Sequence, residues 1–301
     1  MTGYTLGATQ VADTFAEAFP MRFARVVITA ATDAWAYEAA RSATGFATSV
    51  IGCKCEAAIE RKVEARGTPD GRPGISVLLF AMDSEGVGHR VLDRVGQCVM
   101  TCPTTACFDG LPGAERTVGL GTSLRYFGDG FQASKVIAGQ RLWRIPVMEG
   151  EFIVSDSIGV GHGVGGGNLV IGAAGDEAAL AAAQAAAQAM RGEGIALPFP
   201  GGIVRSGSKV GALTSKSMPA STNHQLAPTL RAQVDDTLVP DGVGALFEIV
   251  IDGVSEDAVR EAMRRGLHSA AGAGATHITA ANFGGKLGQF HFPLSDLRDP
   301  P

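Results

Sequence analysis

The sequence predicts an α+β chain of two ferredoxin-like lobes, each with the order β-α-β-β-α-β and related by duplication. Three observations predict it. Short apolar runs alternate with helix-patterned segments. The order of elements occurs twice, dividing the chain into lobes 1–147 and 148–301. No G-x-G-x-x-G turn joins a first strand to a first helix, which argues against a doubly wound dinucleotide-binding sheet. In the first half that turn is ITAATDAW, without glycine; in the second, the glycine-rich GVGHGVGGGN precedes the strand and reads as a bent or bulged loop.

In the first half, ARVVITA (24–30) is the opening strand. Thr32 or Asp33 caps a helix that stops at Gly45. FATSVIG (46–52) reads as the next strand. TPDGRPG (68–74) has turn chemistry and leads to the buried strand ISVLLFA (75–81). In HRVLDRVGQCVM (89–100), Val91, Val95 and Val99 recur at helical spacing beside Leu92, and the helix runs into a loop at Cys102 and Pro103. Either LRYFGDG (124–130) or RLWRIPV (141–147) closes the half as a strand.

The second half repeats the order. NLVIGAA (168–174) is a strand, and Asp176 caps an Ala-rich helix that stops near Gly192. GGIVRS (201–206) is the next strand, followed by a long excursion to ALFEIVI (245–251). Ser255 caps a helix whose first turn holds Glu256 and Asp257, favourable at the positive end of the helix dipole. Val259, Met263 and Leu267 form its apolar stripe. THITAAN (276–282) and GQFHFPL (288–294) are the last strands.

Nearly half of the 301 residues are hydrophobic, so a packed core is expected and disorder is not. The net charge is −5 without a Lys/Arg run, which gives no support for nucleic-acid binding. The Ala-rich run is broken by Gln184 and Gln188 and is too short and too weakly apolar to span a membrane. The N-terminus lacks the basic and apolar regions of a signal peptide, and the five cysteines are an odd number. A reducing, cytoplasmic setting is expected.

Cys98, Cys102 and Cys107 cluster in GQCVMTCPTTACFDG (96–110), and Cys53 and Cys55 form a C-x-C pair. Their spacing does not match the C-x₂₋₄-C pairs of structural zinc sites or the C-x₂-C-x₂-C run of iron–sulfur sites. No sequence-local base marks a nucleophilic thiol. Packing as small apolar residues is the reading that remains, and no metal is expected.

Ten blocks, in order, resemble one family. They are DTFAEAF (13–19), RVVITAA with TGFATSVI (25–51), TPDGRPG (68–74), LDRVGQCVMT (92–101), FGDGFQ (127–132), IPVMEGEFIV (145–154), PFPGGIVRSGSKVG (198–211), MPASTN (218–223), EIVIDG (248–253) and ANFGGKLGQF (281–290). The family is the formylmethanofuran:tetrahydromethanopterin formyltransferases, in the form similar to the methylotroph formyltransferase/hydrolase complex subunit. The resemblance implies two ferredoxin-like lobes, no metal and no tightly bound cofactor, with methanofuran and tetrahydromethanopterin as carrier substrates. It also implies a homotetramer, with further subunits of a formyltransferase/hydrolase complex as partners. It keeps a thiol at Cys98 but small residues at Cys102 and Cys107. His162 departs from it, since the family pattern carries a hydroxyl residue there.

The implied reaction moves a formyl group between a primary amine and a ring nitrogen. It needs alignment of two carriers, oxyanion stabilisation and movement of a proton, with no covalent enzyme intermediate. Glu248 is the candidate for the proton. It is a lone carboxylate beside Ile249, Val250 and Ile251, and alternation puts it on one sheet face with Val250. Such a carboxylate must be paired or hold its proton. The resemblance adds that the family's glutamate at this point is catalytic. The competing reading of the residues is an edge-strand glutamate facing water. Lys209 and Lys286 lie in glycine-rich loops, where backbone N–H groups can approach a ligand, and are candidates for the carriers' anions. Ser206, Ser208, Asn223 and Asn282 are candidate formyl-oxygen donors. Asp13 reads as a helix cap, and Glu17 has no assigned role. The alternative function is a non-catalytic carrier-binding or scaffold subunit of such a complex.

Overall fold

Apolar runs become strands of a large mixed sheet, and the capped segments become its helices, giving a mixed α+β class. The structure, a computed structural model, describes residues 3–137 and 139–300. Two compact units are present. One takes the chain up to Pro20, Val164–Arg191 and the chain from Phe199 onward; the other takes Met21–Gly163 and Gly192–Pro198.

In the second of these units, the inner part of the Phe15–Thr29 strand pairs antiparallel with Gly74–Ala81 on one side and Ala106–Asp109 on the other. Cys55–Val63 pairs outside Gly74–Ala81. Helix Asp33–Thr44 starts where the Thr32 hydroxyl accepts from the Trp35 N–H, and buries Ala36, Ala39, Ala40 and Ala43 at helical spacing. The Arg94 guanidinium donates to the carbonyls of Ala43, Gly45 and Phe46 and closes the C-terminal end. Asp83 caps Ser84–Arg94, after which Val95–Val99 continues as a π-turn. Cys107 is buried in this unit's core, and Cys98 and Cys102 pack against it. Burial pushes the Cys107 thiol far up. Glu60 is a buried carboxylate here. It accepts from Arg25 Nε and Nη2 at 2.9 and 2.6 Å, Ser76 Oγ at 2.5 Å and Gly194 N at 2.6 Å. Burial opposes its charge, but these donors outweigh it and hold the carboxyl below its usual range.

In the other unit, the Ser157–Ala173 strand lies between Ala245–Gly253 and His277–Thr279, antiparallel to both. His277–Thr279 runs parallel to Thr9–Ala12, which pairs with Gly3–Leu6. Ser255 caps Glu256–Gly272, and Val259, Met263 and Leu267 are fully buried. This helix packs on Asp176–Met190, whose alanines form the contact face. Gly266 makes the approach possible, since a Cβ there would come within 1.9 Å of Met190 Cε.

Several expected elements differ. FATSVIG gives only a two-residue strand, Thr48–Ser49, and a short helix, Val50–Cys53; the strand proper is Cys55–Val63. Its charged residues hid it, because Glu60 is satisfied by Arg25 from the next strand but one. LRYFGDG is helical, Gly121–Leu124 running into Arg125–Gly128, and RLWRIPV lies within the strand Gln140–Val147. GGIVRS is a 3₁₀ turn, Pro200–Gly202, followed by a single bridge from Val204 to Glu248. Gly175, not Asp176, is the N-cap of the Ala-rich helix. Asp13 joins two strands and caps no helix. GVGHGVGGGN lies inside the Ser157–Ala173 strand with a bulge between Val164 and Gly167. There a Cβ on Gly161 would meet the Phe23 ring at 2.5 Å. Among the described residues no helix is long and apolar enough to cross a membrane.

Candidate active site

Glu248 sits in mid-sheet. Its backbone pairs with Val170 on one side, while on the other its N–H donates to the Val204 carbonyl and its carbonyl accepts from the Val204 N–H. The edge-strand alternative is therefore removed for this residue. The side chain is half-buried and lines a cavity of about 580 Å³. Among the described residues its carboxylate has no hydrogen-bond or ion-pair partner. Burial alone pushes its pKa up to about 7.

The same cavity is lined by Ser206 and Asn223, so three of the seven candidate residues come together. Asn223 is held by its N–H, which donates to the Gly207 carbonyl at 2.5 Å. Asp176 and Arg205 also line it, and Arg205 is the one cation among its described lining residues. Sequence reasoning passed over Arg205, whose placement depends on the turn that replaces the expected strand.

A second cavity of about 410 Å³ is lined by Asp13, Thr14, Gln225 and Asn282. Asn223, Leu226 and Ala281 are common to both cavities. The Asn282 amide donates to Thr14 Oγ1 at 3.1 Å and to the Phe15 carbonyl at 3.0 Å, and its Oδ1 accepts from Gly284 N. Asn168, buried in the central strand, holds Ala281 from both sides. Its Oδ1 accepts from Ala281 N at 2.7 Å and its Nδ2 donates to the Ala281 carbonyl at 3.0 Å.

Ser208, Lys209 and Lys286 are not among the residues lining these two cavities. Ser208 and Lys209 lie on the small hairpin strand Ser208–Val210, and Lys209 Nζ is 2.7 Å from His224 Nδ1. Lys286 is exposed on the loop after Ala281. The N–H groups of that loop, expected to face a ligand, are taken up by Glu17. His162 contacts Arg22 and lines neither cavity. Among the described residues no group of three or more His, Cys, Asp or Glu could hold a metal ion.

Chemically, an unpaired carboxylate titrating near neutrality can both give and take a proton. Hydroxyl and amide groups beside it can donate to a developing oxyanion. Two adjoining cavities give room for two substrates.

Known proteins place the chain. The family model described as formylmethanofuran-tetrahydromethanopterin formyltransferase matches residues 5–147, and the model of that family's proximal lobe matches residues 150–297. The formylmethanofuran–tetrahydromethanopterin formyltransferase of Methylococcus capsulatus is 51% identical over 297 residues, covering 97% of this chain and 99% of the relative. The solved formyltransferase from Methanosarcina barkeri superposes with a TM-score of 0.93 at 44% identity, over 98% of this chain and 100% of its own. A chain of the formyltransferase/hydrolase complex from Methylorubrum extorquens, solved with methylofuran, superposes with a TM-score of 0.95 at 45% identity, covering both chains fully. The chain belongs to the formylmethanofuran–tetrahydromethanopterin formyltransferase family.

Proposed function

We propose that the chain transfers a formyl group between methanofuran and tetrahydromethanopterin, with Glu248 moving the proton. The observation that carries the proton role is the unpaired Glu248 carboxylate in its cavity, with a pKa near 7. In the direction from formylmethanofuran, the pterin ring nitrogen attacks the formyl carbon and a C–N bond forms. The carbonyl electron pair moves to oxygen, where the Ser206 hydroxyl and the Asn223 amide donate hydrogen bonds. Glu248 takes the proton from the attacking nitrogen and gives it to the methanofuran nitrogen as the old C–N bond breaks. Atoms balance without a covalent enzyme intermediate, and the reverse direction uses the same groups.

Arg205 in the cavity, and Ser208, Lys209, Asn282 and Lys286 around it, bind the carriers, the cations meeting carboxylate and phosphate groups. Two ferredoxin-like lobes, divided in sequence near residues 147 and 148, are supported in two ways, although the chain up to Pro20 and residues 148–163 and 192–198 fall in the opposite compact unit. In the first half the strand order is Ala106–Asp109, Phe15–Thr29, Gly74–Ala81, Cys55–Val63, as that fold requires. The two family models also break between residues 147 and 150. The protein is a cytoplasmic homotetramer that joins other subunits of a formyltransferase/hydrolase complex; the likeness to a chain of such a complex supports the last part.

The test is to mix the purified protein with formylmethanofuran and tetrahydromethanopterin and follow formyl-tetrahydromethanopterin. Turnover is expected. Binding of both carriers without turnover would favour the non-catalytic subunit.

A further inference from the structure

Glu17 lies in the Phe15–Thr29 strand and is 1% exposed, between Ala16 and Ala18, which are fully buried. Among the described residues no cation pairs with it. Its carboxylate instead accepts four backbone N–H bonds from one loop. Oε2 takes Phe283 at 2.7 Å and Gly285 at 2.9 Å, and Oε1 takes Leu287 at 2.7 Å and Gly288 at 2.5 Å. Burial opposes the charge, but these four donors outweigh it and hold the carboxyl below its usual range.

Convergent N–H groups of this kind form the cradles in which glycine loops bind external anions. Here the anion is a side chain 266 or more residues earlier in the sequence. Gly284 and Gly285, at φ of +72° and +69°, give the loop the left-handed turn that the cradle needs. Gly288 must lack a side chain, because a Cβ there would come within 2.5 Å of the Ala18 carbonyl oxygen and 2.7 Å of Glu17 Cγ. The segment that Glu17 holds, 283–288, follows directly on Ala281 and Asn282, which stand in the cavity walls, and carries Lys286. An unpaired buried charge is costly where packing is the only need. The gain from this one is a single, fixed loop geometry.

We propose that Glu17 is a positioning residue for formyl transfer: its carboxylate fixes residues 283–288, so that Lys286 and the cavity-wall residues Ala281 and Asn282 that lead into this loop stand in place for a carrier. The proposal rests on the formyl-transfer reading. Misplacing a reacting group by about 1 Å lowers rates by about 100-fold.

The test compares wild type, Glu17→Gln and Glu17→Asp well below their melting temperatures. Met263→Ala, a core change in the helix Glu256–Gly272, controls for lost stability. Glu17→Gln is expected to lower kcat/KM by roughly 10- to 100-fold, with a raised KM for at least one carrier. Glu17→Asp, which keeps the charge, is expected to recover part of this. Met263→Ala is expected to keep wild-type kcat and KM. Backbone amides 283–288 should exchange hydrogen faster in Glu17→Gln while those of helix 256–272 do not change. If Glu17→Gln does not fold, the folded Glu17→Asp variant, too short to keep all four bonds, must itself show a raised KM and faster exchange at amides 283–288. Wild-type kcat and KM in the folded Glu17 variants, or an equal loss in Met263→Ala, would overturn the proposal alone. Absence of transfer by wild type would overturn the functional reading as well.

Discussion

Glu248→Gln is expected to stabilise the protein at alkaline pH while removing its activity. The glutamate's pKa rises from 4.5 to about 7 on folding because burial disfavours the charge. Below pH 4.5 both folded and unfolded chains hold the proton, and the residue has no effect. Between these values the folded state keeps a proton that the unfolded state has lost, so stability falls as pH rises. Above pH 7 the folded chain carries the full penalty. At 1.36 kcal/mol per pKa unit this is about 3 kcal/mol. The side chain is only half-buried, and water in the cavity screens part of the charge, so about 1–3 kcal/mol is expected. Gln is close in size and uncharged, and it breaks no protein hydrogen bond, because Glu248 makes none among the described residues. Urea denaturation of both proteins at several pH values measures the difference. It should grow from near zero at pH 4 to about 1–3 kcal/mol in favour of Gln at pH 8. A difference that is flat with pH would show that Glu248 ionises as it does in water, and the physical basis for its proton role would be lost.

Two other perturbations have defined outcomes. Glu60→Gln removes the charge from a buried carboxylate that pairs with Arg25 and accepts from Ser76 and Gly194. It should cost about 3–5 kcal/mol in denaturation, since Arg25 loses its partner. Arg205→Ala removes the cation from the Glu248 cavity and should raise the KM of a carrier by about 10- to 150-fold, with a smaller effect on kcat; unchanged KM values for both carriers would remove Arg205 from the site.

Local chemistry was legible in the sequence wherever it was also local in space. Thr32 and Ser255 cap helices because the donors they satisfy lie three residues on. ISVLLFA reads as a buried strand because all eight residues of Gly74–Ala81 are buried. Cys55–Val63 was not legible, because its buried Glu60 is compensated by residues far away in sequence. Glu248 stood out as a lone carboxylate in an apolar run, and that run is a strand whose backbone is paired on both sides at this residue. Glu17 has the same signal in FAEAF, but its role depends on amides 266–271 residues away, beyond any local pattern. Neither of the loop lysines expected to meet anions lines the Glu248 cavity, whose one cation among the described lining residues, Arg205, is brought there by a turn that apolar patterning reads as a strand.

If the Glu248 carboxylate moves the proton in formyl transfer, replacing it with an amide stops chemistry and spares binding. The most direct measurement is the steady-state rate of Glu248→Gln with both carriers at pH 7, beside carrier binding by calorimetry. Binding should be retained and kcat should fall by about 10²–10⁴-fold. A Gln variant that turns over at the wild-type rate would contradict the proton role.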